Sequence, residues 1–148
     1  MFLGCTSLTT APELPATTMA EDCYAYMFSG CSTLITVPSS LPAATLAEGC
    51  YYAMFDGCSA LTTAPALPAT TLAEDCYAYM FYGCSSLSSI TVHFATWSDI
   101  YTDHWVEGVG NTGIRQFHCR AVLDTDTSSI DRVPVGWTVI KDVPEPAP

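Results

Sequence analysis

The sequence predicts an α/β solenoid: coils of about 26 residues, each a short parallel strand plus a short helix, ended by a C-terminal α+β cap. Three observations carry this. The motif MFxGC opens at positions 1, 27, 54 and 80, at spacings of 26, 27 and 26. Every interval holds the same signals in the same order, and a unit this short must bury its apolar face against its neighbours. Beyond Val92 the pattern dissolves: all four basic residues (Arg115, Arg120, Arg132, Lys141), all three Trp and all three His lie there. The expected division is repeats over 1–92, a cap over 93–141 and a flexible Pro-rich tail over 142–148.

The helix signal comes first. Thr18, Thr45 and Thr71 are each followed three residues later by Glu21, Glu48 and Glu74, the pattern of a capping box. Gly4, Gly30, Gly57 and Gly83 then stand where a left-handed closing residue is wanted. Between them about ten residues, as from Leu46 to Asp56, place Leu46, Cys50, Ala53, Met54 and Cys58 on one helical face. The strand follows. After each closing Gly come Cys, a Leu two or three residues on, and a Thr-rich stretch ending at Pro12, Pro38 or Pro65. Thr and Val suit a pleated surface, and Pro ends a ladder because it has no N–H to give. Equivalent strands should pair in parallel. The second unit has one extra residue between Pro38 and Pro42, which marks a loop, where added length costs little.

In the cap, Trp97, Ile100, Trp105 and Val109 fit a short amphipathic helix, and Gly113 to Val122 and Gly136 to Ile140 read as strands. Met1 shares the register of Met27, so the first coil is expected to start inside its helix, without a capping box. This predicts a C-terminal part of a longer protein, or self-association through the uncapped N-terminal coil.

The units, with Cys-x-x-Leu, a short strand, Pro, a spacer, a helix and Phe-x-Gly-Cys, resemble the leucine-rich repeats of the BspA-like family of bacterial, Bacteroidales-type surface proteins. The likeness covers residues 1 to about 92 and implies a leucine-rich-repeat solenoid. Phe2, Phe28, Phe55 and Phe81 match the family's helix-end Phe; Cys5, Cys31, Cys58 and Cys84 its Cys; Leu8, Leu34, Leu61 and Leu87 its first strand Leu. Cys23, Cys50 and Cys76 depart from the usual pattern. The segment with GIRQFHCRAVL and VPVGWTVI is similar to the terminal cap of such proteins. The resemblance implies an extracellular or cell-surface location and adhesion to proteins or host cells, with no shared catalytic residues.

Charge narrows the partners further. Fifteen Asp and Glu against four Lys and Arg give a formal charge of −11, so nucleic acid is not an expected partner, since phosphate binding needs Lys and Arg. No apolar run reaches the roughly 18 residues of a membrane-spanning helix, and membrane insertion is not expected. No nucleophile sits in a motif with His and an acid, and no phosphate-binding Gly loop is present; an enzyme is not expected, nor a cofactor. The cysteines form ladders, 5/31/58/84 and 23/50/76, with Cys119 left over. They are read as buried reduced thiols, because Cys23 and Cys31 along one helix stand about 12 Å apart, too far to bridge.

Two weak metal readings compete with bland ones. Asp103, His104, His118 and Cys119 are acceptable zinc ligands, but neighbours in a strand point to opposite faces. The Glu21/Glu48/Glu74 row suggests calcium, yet the capping box already accounts for it and calcium wants six to eight oxygens. The stronger candidates are surfaces. Thr10, Thr36, Thr63 and Ser89 should align as a hydroxyl row on the concave strand side, where repeat arrays bind, although Thr also pairs with Thr merely to hold strands. Tyr24, Tyr51 and Tyr77, within a larger recurrent Tyr set, offer rigid contact faces, or else fill the groove between coils. The expected function is a non-enzymatic module for adhesion or protein or glycan binding; the alternative is a structural spacer or tail-fibre-type module of a phage or cell envelope.

Overall fold

The computed structural model describes residues 2–146. Its regular elements are few: strand β1 (Ser89–Thr91), helix α1 (Asp99–Thr102), strand β2 (Gln116–Arg120) and strand β3 (Thr138–Val143). The strands form one parallel sheet in the order β1-β2-β3, with Ile90 beside Phe117 and Phe117 beside Val139.

The predicted leucine-rich-repeat solenoid with a helix in every coil is not what this chain forms. Among the described residues the one α-helix, α1, has four residues and lies outside the repeats. The stretches read as helices are chains of tight turns, and their backbone bonding alternates. The N–H groups of Asp22, Tyr24, Tyr26, Phe28 and Gly30 donate to the carbonyls of Glu48, Cys50, Tyr52, Met54 and Asp56, at 2.7–3.0 Å. Those of Cys23, Ala25, Met27, Ser29 and Cys31 donate to the residue three back, at 3.0–3.3 Å. The next two intervals repeat this: Phe55 donates to Met80 and Phe81 to Trp105, both at 2.9 Å.

Every fourth residue has a left-handed backbone: Asp22, Tyr26 and Gly30 (φ 52°, 57°, 74°), then Gly49, Ala53 and Gly57, then Asp75, Tyr79 and Gly83. Such a residue cannot continue an α-helix. The closing glycines are left-handed and stacked, a Cβ on Gly30 standing 3.4 Å from the Cα of Gly4.

Spacing explains why turns replace helices. Packed helices stand 8–10 Å apart, whereas paired strands stand about 4.7–4.9 Å apart. Turns that bond to the next segment keep a strand-like spacing, so equivalent side chains lie directly over one another. Phe2, Phe28, Phe55 and Phe81 stack with centroids 5.6, 5.6 and 5.9 Å apart. A sulfur column runs beside them. The thiols of Cys31, Cys58 and Cys84 donate to the carbonyls of Phe2, Phe28 and Phe55 at 3.0–3.1 Å. Leu34, Leu61 and Leu87 complete the core at 0% exposure. A ten-residue helix is marginal alone, and with half its N–H groups already satisfied by the neighbour it gains little by forming. Without helices there is nothing to cap: Thr18, Thr45 and Thr71 are exposed, and Thr45 pairs with Thr71 in an isolated parallel bridge.

On the strand side, single parallel bridges join Thr10 to Thr36, Ser40 to Ala66, Thr63 to Ser89 and Leu67 to Val92. The stacking does not stop at Val92. The predicted amphipathic helix through Trp97, Ile100, Trp105 and Val109 shrinks to the four residues of α1; Ile100 within it is exposed, and Trp105 beyond it is fully buried, capping the Phe column 6.0 Å from Phe81. All three indoles bond 27 residues away: Trp97 to the Asp124 carbonyl, Trp105 to Arg132 and Trp137 to Gly110. β3 runs through Val143 into the expected flexible tail, and Glu145 pairs with Arg120 there. The helical register expected at Met1 and the last two tail positions lie outside the described residues.

Candidate functional site

In the predicted hydroxyl row Thr10, Thr36 and Thr63 are exposed and Ser89 is half-buried, and the row is divided. Thr10 and Thr36 are paired, as are Thr63 and Ser89, and Ser89 continues to Gln116 and Thr138 across the sheet. Among the described residues no bridge joins Thr36 to Thr63. A groove of about 320 Å³ opens there, lined by Ile35, Thr36, Val37, Thr62 and Thr63. It falls where the spacing lengthens to 27. Ile35 is 58% exposed at its edge, so the groove offers an apolar wall and hydroxyls together.

Of the predicted tyrosines, Tyr51 and Tyr77 are buried and Tyr24 is half-buried against the core, the placement of residues that fill the groove between segments. Tyr51 and Tyr77 are each 1% exposed, and Tyr24, Tyr51 and Tyr77 stack at 6.0 and 6.1 Å with nearly parallel rings. The Tyr51 hydroxyl is buried without a hydrogen-bond partner. Burial raises the pKa of both phenols well above the ordinary value. A second column, not separable from the first by residue pattern, reaches the surface instead. Tyr26 and Tyr52 lie 5.4 Å apart, Tyr52 and Tyr79 5.7 Å, and Tyr79 stacks flat on His104 at 5.1 Å. Burial and then the neighbouring Tyr26 push the Tyr52 phenol up to about 12. Beside this column is a second groove, of about 470 Å³, lined by Asp22, Tyr26, Glu48, Gly49, Tyr52 and Asp75.

Of the predicted zinc candidates, His118 and Cys119 fall apart as neighbours in β2 do. Cys119 is buried, while His118 bonds Asp142 at 3.0 Å. Asp103 and His104 are instead joined by Asp131, with ligand-capable atoms within 4.8 Å of one another. The His104 Nδ1 stands 2.6 Å from Asp103, and its backbone N–H donates to Asp131 at 2.6 Å. The Asp103 hydrogen bond holds the imidazolium above its ordinary range, opposed in part by burial and helped by the charges of Asp103, Asp131 and Glu107. These mutual bonds account for the arrangement, and three ligands fall short of the four that closed zinc sites use. The Glu21, Glu48 and Glu74 side chains belong to exposed residues.

All eight cysteines are free. Burial pushes Cys50 up to about 11 and Cys58 and Cys76 up to about 12, so at neutral pH they are thiols, the unreactive form. No helix among the described residues is long and apolar enough to cross a membrane. No protein-family model matches the chain, and neither a curated protein nor a solved structure matches it.

Proposed function

We propose that this chain is a non-enzymatic repeat module that binds a protein or glycan through its threonine side, at a cell surface or outside the cell. Its Cys-x-x-Leu and Phe-x-Gly-Cys motifs support kinship with BspA-like surface proteins. The observation that carries the reading is the groove between the Thr36 and Thr63 rungs, where an apolar wall meets exposed hydroxyls. Sugars and extended peptides both present alternating apolar and hydrogen-bonding groups, and a shallow site of this kind binds by several weak contacts rather than by reaction. The buried thiols and tyrosines are occupied in holding segments together, which leaves surface rows as the sites of contact.

The spacer reading has its own support, since the same backbone bonding recurs from interval to interval. A glycan array, and a binding screen against purified surface proteins, separates the two. The binding module captures a defined ligand and loses it with Thr36→Arg or Thr63→Arg, which fill the groove without touching the core. A spacer captures nothing, and the variants change nothing.

A further inference from the structure

The second groove has features that the repeat alone does not require. The first and third segments carry Asp22 and Asp75 at the left-handed position after Glu, whereas the second carries Gly49. The following pair is Ala25-Tyr26 and Ala78-Tyr79 in those segments but reversed, Tyr52-Ala53, in the second. Both departures fall on the groove wall. A Cβ on Gly49 would stand 2.1 Å from the Asp22 Oδ1, so the missing side chain at 49 lets the Asp22 carboxylate lie against the groove wall. The reversal sets the Tyr52 ring between Tyr26 and Tyr79 at the groove's edge.

Three carboxylates, Asp22, Glu48 and Asp75, line the same space. Among the described residues none of them pairs with a cation, and all four Lys and Arg lie far along the chain, from Arg115 onward. Aromatic faces beside unpaired carboxylates attract a cation on a carbon stem, because the ring quadrupole and the acids act together while the stem packs on the ring. The groove's volume is within the range of about 300–1,000 Å³ typical of ligand sites.

We infer that the Gly49 groove binds a lysine or arginine side chain presented by an exposed basic segment of a partner protein. This rests on reading the chain as a binding module and gives that module a second, chemically distinct contact. The long-range attraction of a −11 chain speeds the encounter, and the groove fixes where the cation ends.

The test uses a fluorescent peptide of alternating Lys and Gly, with a Glu-Gly peptide as control, measured by anisotropy at about 0.15 M salt, where charges more than about 8 Å apart are largely screened. Binding should weaken roughly two- to fivefold in Tyr52→Ala, the size of a solvent-exposed cation–aromatic contact, and comparably in Gly49→Asn and in the double change Glu48→Gln, Asp75→Asn. Gly49→Asn keeps the fold testable, because Asp22 and Asp75 already occupy the same left-handed position, Asn tolerates it as well, and the Asp22 carboxylate that the new Cβ meets is the end of a flexible side chain that can swing aside. Unchanged melting temperatures confirm this. Equal binding by all variants, which would mean diffuse charge attraction, overturns the proposal, as does no binding by the parent chain. Thr63→Arg should leave peptide binding unchanged, so failure here and failure of the threonine-side reading are told apart.

Discussion

The repeats and the segment after Val92 build the same ladder with different chemistry. Between residues 2 and 92 each rung lies on a near copy of itself, Phe on Phe, Tyr on Tyr, thiol on carbonyl. After residue 92 the rungs stay in step, but Trp105 replaces Phe at the end of the column and each indole N–H reaches a carbonyl 27 residues away. What persists is therefore the backbone spacing. Identical side chains satisfy it cheaply, because any residue that fits one rung fits the next; unlike side chains need directional bonds to fix the register.

The largest test breaks the repeated part. Phe55 is fully buried with a ring stacked on each side, so Phe55→Ala should cost about 3–5 kcal/mol in urea unfolding. Phe2, which is half-buried with one stacked neighbour, should cost clearly less; equal losses would mean that stacking is not what carries the column. In the later segment, Trp105→Phe keeps most of the aromatic bulk but orphans the Arg132 carbonyl. It should cost about 1–3 kcal/mol.

Two smaller changes separate turns from helices by sign and size. Ala53 has φ 49°, where a non-glycine residue is strained by about 1–2 kcal/mol, so Ala53→Gly should be neutral or stabilising. In a helix the same change would destabilise by about 1 kcal/mol. Thr71→Ala should stay within about 0.5 kcal/mol, whereas loss of a helix cap would cost about 1 kcal/mol. Far-ultraviolet circular dichroism should show little helix.

The smallest effect is the pH response of two histidines after residue 92. The pKa of His104 is raised by its bond to Asp103, so its stabilising contribution is full below the ordinary value near 6.5 and is lost as pH rises through the higher folded value. His93 is lowered, first by burial and then by the Arg120 charge. Its contribution runs the other way: stability is greatest above the ordinary value and falls as protonation sets in at lower pH. An NMR titration should place the His104 midpoint above that of His93, and Asp103→Asn should bring the two closer. A His104 midpoint at or below the ordinary value would remove the Asp103 bond from the account.

Much of the ladder was legible because repetition is a property of letters. The MFxGC spacing located the Phe, Cys and Leu columns, and the position of Gly30 and Gly57 announced a left-handed backbone. The local conformation between them was not legible. A left-handed residue every fourth position places side chains at i and i+4 on one side, as a helix does, so Cys50, Met54 and Cys58 satisfy both patterns. The Thr-x-x-Glu triplets likewise looked like caps, although no helix follows. Among the site residues, the exposure of Thr36 and Thr63 followed from the strand pattern. The sequence offered both a contact face and groove filling for Tyr24, Tyr51 and Tyr77, and could not choose, since Tyr24 and Tyr26 differ only in which side of a turn they leave.

The sequence by itself determined that equivalent residues recur, which of them are apolar, and that neighbouring segments must share their cores. Tertiary structure decided how each segment is shaped, because half of the turn N–H groups find their acceptors only in the next segment and no local propensity records that. It also decided where the surface opens: an unbridged interval at Thr36 and Thr63, and the wall around Gly49, become grooves only when the rungs above and below are in place.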